Sequence, residues 1–365
     1  MDRRAFLGAA SALTAGGAVH AQPLSDLQRH LGQEAGRRGF SGVALVAKGP
    51  KVLAQGAWGL ADRSLAVPCA PDMAFRIASI TKLFTAVLVM QLLTEGRIEL
   101  DKPIGAYLAN YRGEGRDRVL VRQLLNHTSG IANFDTIGSF EQAVREGMPA
   151  YQLPHESAAL MDLYASGPLR SQPGSTFDYN NADYVILGKI LEAIENRPFE
   201  DILRRRILVP LKLTRTGLLQ QSVIWPRLAA TYYKDGDKPL INDMPVYPQN
   251  WYAAGGMAST AADLLVFANA LYGGGLLAAD PLKALLTPGL DEYGFGLWVS
   301  DMKVGDGRRR FAQRPGRIMG ANTLLLRMLD DDVTVILLAN TNEVDTDAFG
   351  FSLARRALGA PSPKG

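Results

Sequence analysis

The stretch FRIASITKLFTA places Ser79 three residues before Lys82, a pairing that could join a nucleophile to its activator. On a helix, positions i and i+3 share one face. From Ile77 to Thr94 the chain reads IASITKLFTAVLVMQLLT, and Lys82 is its only charged residue. A helix apolar on nearly every face is a buried helix, and an ammonium buried there is costly unless it is paired or neutral. Burial favours the neutral amine, which can take a proton from an adjacent hydroxyl. Ser79 falls at the predicted helix start, where backbone N–H groups and the helix dipole favour a developing negative charge. The spacing alone is not specific. Ser300-Asp-Met-Lys303 repeats it in what reads as an exposed turn after a strand, so burial is what sets the first copy apart.

A second candidate is FDYNNADYVILG, residues 177–188. Asn180 or Asn181 is expected to cap the helix that follows. If the preceding loop is extended, Tyr179 and Asn181 point to the same side. A tyrosine held beside cationic groups has a lowered pKa and can serve as general base or acid. Taken by itself, the segment fits a core tyrosine and a capping asparagine equally well.

Together, Ser79-Ile80-Thr81-Lys82 and Tyr179-Asn180-Asn181 resemble the first two motifs of the serine β-lactamase and penicillin-binding family. The tyrosine form of the second motif is similar to the class C branch, which includes β-lactamases, D-alanyl-D-alanine carboxypeptidases, D-aminopeptidases and carboxylesterases. LLNHTSGI, AAGGMASTAADLLVF and VILLANT fit the same branch and keep its order. The resemblance implies acyl-enzyme chemistry with Ser79 as nucleophile, Lys82 and Tyr179 sharing the proton transfers, and Asn181 in substrate binding. It implies the family's two-lobed fold as well.

The third family motif is K-T-G, or H-x-G in many esterase-like members, on the strand lining the cleft. Here the corresponding place reads Arg314-Pro315-Gly316, with Gly320 at the spacing of the H-x-G members. The positive charge is kept and the hydroxyl is lost, so esterase or D-amino-acid peptidase activity is expected ahead of efficient β-lactam hydrolysis. By the same likeness the oxyanion donors are the N–H groups of Ser79 and Arg317, and Pro315 removes neither. Arg314 is expected either to face the cleft, anchoring a substrate carboxylate or carbonyl beside Tyr179, or to join Arg308, Arg309 and Arg310 in solvent. Arg314, Gly316 and Arg317 thus complete the expected substrate-binding set.

The elements that must position these residues read as α+β. FSGVALVAKGPKVLAQGAW is a hairpin around Gly49-Pro50, and four strands follow between residues 294 and 340, the last two joined at Asp330–Asp332. Strands at both chain ends imply an antiparallel sheet built from both termini with flanking helices. The sheet lobe is expected over about 22–78 and 286–365, and a mainly helical lobe over about 79–285. Thr260 and Asp263 are spaced as a capping-box variant before ADLLVFANALY.

Bulk composition excludes several classes. The 365 residues are 47% hydrophobic and 21% charged with a net charge of +3, and no basic block with interleaved aromatics suggests nucleic-acid binding. A single cysteine, Cys69, rules out an intrachain disulfide and paired-cysteine zinc sites. HExxH, phosphate-loop and dinucleotide signatures are missing, so no metal and no cofactor is expected. No G-x-S-x-G occurs, and His127 reads as a hydrogen-bonded loop residue rather than a triad member. The opening MDRRAFLGAASALTAGGAVHAQP has a signal-peptide layout, with Arg3-Arg4 suggesting twin-arginine export and cleavage after Ala21. No later run is long enough to span a bilayer. The expectation is an exported, periplasmic or secreted serine hydrolase acting on a small-molecule or peptide substrate. A class C-type β-lactamase is the alternative, and a catalytically silent binding protein on the same fold is the rival from another class.

Overall fold

Near-continuous apolar runs, GVALVA and VTVILLA among them, build the middle of the central sheet, where both faces of the strands are buried, while its outer strands are partly exposed. The computed structural model describes residues 25–135 and 137–360, so the expected signal peptide lies outside the described residues. Six strands carry labels: β1 (Gly42–Lys48), β2 (Lys51–Trp58), β3 (Trp298–Val304), β4 (Gly307–Ile318), β5 (Ala321–Met328) and β6 (Val333–Ala339). They form one antiparallel sheet in the order β3-β4-β5-β6-β1-β2, so strands from the two ends of the chain meet at the β6–β1 pair. Register there runs from Gly42 opposite Ala339 to Lys48 opposite Val333.

Helices cover both faces of this sheet. On one face, Ala44 and Val46 of β1 and Val335 and Leu337 of β6 pack with Leu31 and Ala35 of α1 (Asp26–Arg37) and with Phe349 and Leu353 of the last helix. On the other, Val43, Leu45, Ile336 and Leu338 join the larger core that contains α2 (Thr81–Thr94). The remaining labelled helices are α3 (Asn181–Glu195), α4 (Ala261–Tyr272) and α5 (Thr346–Ala357). Among the described residues, no helix is long and apolar enough to cross a membrane.

Several details differ from expectation. The strand expected from residue 294 begins at Trp298, because the preceding residues turn through Gly296 at φ +84°. Ser300 and Lys303 lie within β3 and not in a turn. At α4 only half of the capping box forms. Thr260 accepts from the Asp263 N–H at 3.1 Å, while the Asp263 carboxylate turns away to Arg215 N and Thr216 Oγ1. The helix α1 is not among the expected elements, although Leu27, Leu31 and Ala35 recur four residues apart and face the core.

Candidate active site

α2 is buried from Thr81 through Met90, and Lys82 is wholly inaccessible. Ser79 stands just ahead of it in a 3-10 turn, Ala78–Ile80, and not in the α-helix itself. The first intrahelical bond of this turn runs from the Ile80 N–H to the Ile77 carbonyl at 3.1 Å, so the Ser79 N–H precedes the ladder. Ala78 holds φ at +47°, and a non-glycine residue in that region stores about 1–3 kcal/mol of strain that surrounding structure must offset. Two further strained residues flank the site: His127 at φ +56° and Tyr252 at φ +42°. Their loops deliver groups that touch the same cluster.

Lys82 Nζ donates to Asn181 Oδ1 at 2.6 Å and to the Ala254 carbonyl at 2.9 Å, and it lies 3.2 Å from Ser79 Oγ. Burial pulls its pKa from 10.5 to about 8, with Tyr179 resisting the shift and Arg314 adding to it. Tyr179 Oη sits 2.8 Å from Ser79 Oγ on the other side. Burial alone would raise the phenol. Arg314 and Lys82 overcome it and hold Tyr179 below the usual tyrosine range. Ser79 Oγ is therefore within hydrogen-bond reach of two groups that can each accept its proton.

Asn180, not Asn181, caps α3, its side chain accepting from the Ala182 N–H at 2.9 Å and donating to the Ile131 carbonyl at 2.7 Å. That leaves the Asn181 amide free to bridge, with its oxygen on Lys82 and its nitrogen 2.6 Å from Asp135 Oδ2. His127 is buried beneath the Tyr179 ring, centroids 4.4 Å apart, and its Nδ1 lies 2.9 Å from Asp183 Oδ2. Burial, with Lys82 and Arg314 near, pushes the imidazole well below its ordinary pKa, so it packs as a neutral ring.

Of the two places expected for it, Arg314 takes the one beside Tyr179, but not as an open anchor. Arg308, Arg309 and Arg310 are exposed, whereas Arg314 is 1% accessible. Its Nε donates to the Ser79 carbonyl at 2.7 Å, one terminal nitrogen to Tyr293 Oη at 3.1 Å, and the other to Tyr179 Oη. The guanidinium fork is committed to the protein, so Arg314 clamps Tyr179 and the Ser79 turn in place of an open carboxylate anchor. Tyr179, Tyr293 and Trp298 surround it, with its carbon 5.3 Å from the first ring and from the last.

Gly316 explains how β4 approaches that turn. A Cβ there would meet the Ile77 carbonyl oxygen at 2.4 Å and Thr323 Oγ1 at 2.4 Å, so no larger residue fits without displacing backbone. The Arg317 side chain points away, pairing with Asp347 at 2.8 Å. Only its backbone remains for the oxyanion role that the family likeness assigns. Among the described residues, no group of three or more His, Cys, Asp or Glu side chains is placed to hold a metal ion.

Comparison with known proteins agrees with this geometry. The sequence model of the beta-lactamase family matches residues 24–358. The chain belongs to the beta-lactamase family. A protein described as penicillin-binding, PbpX of Bacillus subtilis (strain 168), is 27% identical over 72% of this chain and 63% of its own length. A D-aminopeptidase of Brucella anthropi is 26% identical over 92% of this chain and 62% of its own. The chain thus spans somewhat under two thirds of the length of these two relatives. Among solved structures, a D-stereospecific amidohydrolase from Streptomyces sp. superposes with a TM-score of 0.74 at 29% identity, covering 88% of this chain and 95% of that one.

Three participants in this family member's site were not read from the sequence: Asp135, Tyr151 and Tyr293. Asp135 and Tyr151 lie in the 131–175 segment, which has no periodic signal. Tyr293 belonged to a segment assigned to a strand. A signal for it existed in the glycines of YGFGLW. A Cβ on Gly296 would lie 3.2 Å from the Lys82 carbonyl, so this turn must press against α2.

Proposed function

We propose that this chain is a serine hydrolase that cleaves esters or amides through an acyl-enzyme on Ser79. The observation that carries the reading is Ser79 Oγ held between Lys82 Nζ and Tyr179 Oη at 3.2 and 2.8 Å. Oγ attacks the carbonyl carbon as its proton passes to the Tyr179–Lys82 pair. Collapse of the tetrahedral intermediate breaks the bond to the leaving oxygen or nitrogen, which takes that proton. Water, activated by the same pair, then attacks the acyl carbon, releases the acid and restores the serine. The oxyanion is assigned to the N–H groups of Ser79 and Arg317, donors of the kind that stabilise developing charge.

Arg314 is assigned a positioning role: its fixed charge lowers the Tyr179 pKa and its Nε holds the Ser79 turn. Because that fork is spent inside the protein, the site lacks the free cation and hydroxyl with which a K-T-G motif would meet a substrate carboxylate. Esters and amides of amino acids are therefore favoured over β-lactams, in keeping with the D-aminopeptidase and amidohydrolase among its relatives. A panel of p-nitrophenyl esters, D-amino-acid p-nitroanilides and nitrocefin tests this. Turnover should be best on the first two, and nitrocefin as the best substrate would reverse the assignment.

Export by the twin-arginine route is part of the same proposal, resting on Arg3-Arg4 and the Ala/Gly-rich run before Ala21. Replacing both arginines by lysine keeps the charge and should retain the protein in the cytoplasm. Normal periplasmic accumulation of that double variant would assign the general secretory route instead.

A further inference from the structure

A cavity of about 340 Å³, with Phe134, Met148, Tyr164, Met244 and Met319 among its walls, adjoins the catalytic cluster through Asp135 and Tyr151, both within hydrogen-bond reach of Asn181. Of the residues lining it, Asp135 is the one acidic or basic side chain; burial raises its pKa, opposed by the hydrogen bonds from Tyr151 and Asn181 and by the charge of Lys82. Tyr151, stacked on Trp251 at 4.0 Å, forms another wall and donates its hydroxyl proton to Asp135 Oδ1. Asn181 Nδ2 donates to Oδ2 at 2.6 Å. A carboxylate offers about four lone-pair sites, so each oxygen keeps capacity for one more donor.

The carboxylate is also tied closely to the reacting atoms. Asn181 passes from Asp135 to Lys82, and Lys82 to Ser79 Oγ, so three consecutive hydrogen bonds separate Asp135 from the nucleophile. The two cations of the cluster are committed elsewhere: Lys82 to Asn181 and the Ala254 carbonyl, Arg314 to Tyr179, Tyr293 and Ser79. A carboxylate bordering an apolar cavity repels anionic groups and favours a cationic donor that can reach it.

We propose that Asp135 binds a protonated amine on the acyl part of the substrate, next to the scissile carbonyl, while the substrate's apolar side chain fills the adjoining cavity. The preferred acyl donors are then amino-acid esters or amides with a free amine and a large apolar side chain. The cavity lies within the volume range of small-molecule sites, although it must hold only one side chain and part of a backbone. N-acylation removes the charge and adds bulk, so blocked substrates fit poorly. This proposal rests on the acyl-enzyme reading above and adds what that enzyme selects.

The test compares kcat/KM for phenylalanine p-nitroanilide, each enantiomer, with its N-acetyl and its 3-phenylpropanoyl counterparts. The wild-type protein should prefer the better free-amine enantiomer by roughly ten- to hundredfold, the worth of one charged hydrogen bond. Asp135→Asn, nearly isosteric, should bring that ratio close to one. A wild-type ratio near one, or an equal loss on all three substrates in the variant, would make Asp135 only a support for Asn181 and overturn the proposal. If the variant fails to fold, wild-type inhibition decides it: phenylalaninol should inhibit at least tenfold more strongly than 3-phenylpropan-1-ol, and equal inhibition would overturn it. Fluorophosphonate labelling separates this failure from a deeper one. Label on Ser79 without amine preference removes only the role of Asp135, whereas no label removes the acyl-enzyme itself and this proposal with it.

Discussion

The pattern Ser-x-x-Lys occurs at Ser79–Lys82 and again at Ser300–Lys303, and the two copies have opposite fates. The first enters a buried helix, and both side chains converge on one cluster. The second lies in β3, an edge strand of the sheet, where residues three apart point to opposite faces. Ser300 Oγ donates to Glu292 at 2.7 Å, and Lys303 is exposed. Identical residues at identical spacing thus make a site only where the backbone period brings them together and burial alters the lysine. In the proposed mechanism the activating feature is the dry environment around Lys82, with Tyr179 and Arg314 beside it.

That contrast can be broken experimentally. Ser79→Ala should abolish ester turnover, with a loss on the order of 10³-fold or more for one member of a catalytic unit. Ser300→Ala should leave kcat/KM within twofold. Comparable losses in the two variants would erase the distinction.

Lys82→Met keeps the apolar stem and removes the amine. Activity should fall by about 10²–10⁴-fold, the usual worth of a positioned acid or base, while thermal stability holds or rises because an ionisable group has left a buried site. Lys303→Met should change neither. A Lys82→Met protein that is active but much less stable would make Lys82 a structural partner.

A smaller effect sharpens the role of Arg314. With Lys82 brought down to about 8, kcat/KM should rise with pH as the Tyr179–Lys82 pair loses its proton and level off above that value. Arg314 lowers both partners, so Arg314→Ala should move this acid limb to higher pH, and Arg314→Lys should move it less. Acid-bearing and neutral ester substrates should lose alike in Arg314→Ala, since the guanidinium does not face them. An unmoved limb, or a loss confined to carboxylate substrates, would return Arg314 to the role of substrate anchor.

Much of the frame was legible because its signals are local. Alternation in Lys51–Trp58 marks a partly exposed strand, the apolar runs in Gly42–Ala47 and Ala321–Ala339 mark strands buried on both faces, and a lone lysine in an apolar helix marks a residue with a task. Positions that depend on long-range approach were not legible. The family likeness places Arg314 beside Tyr179, but no spacing shows that its other nitrogens are taken up by the Ser79 carbonyl and the Tyr293 hydroxyl. Nor can spacing show that Asn180 caps α3, releasing Asn181 to bridge Asp135, 46 residues away in sequence, and Lys82, 99 residues away. Gly316 is a similar case, its need for a missing side chain set by Ile77 and Thr323 from other elements.

The central claim is that Ser79 is the nucleophile because of where it sits, not because of the motif it belongs to. Intact-mass analysis after fluorophosphonate treatment, followed by peptide mapping, tests this most directly. A single adduct on the peptide containing Ser79, lost in Ser79→Ala and retained in Ser300→Ala, is the predicted result. An adduct on Ser300, or labelling that survives Ser79→Ala, would contradict it.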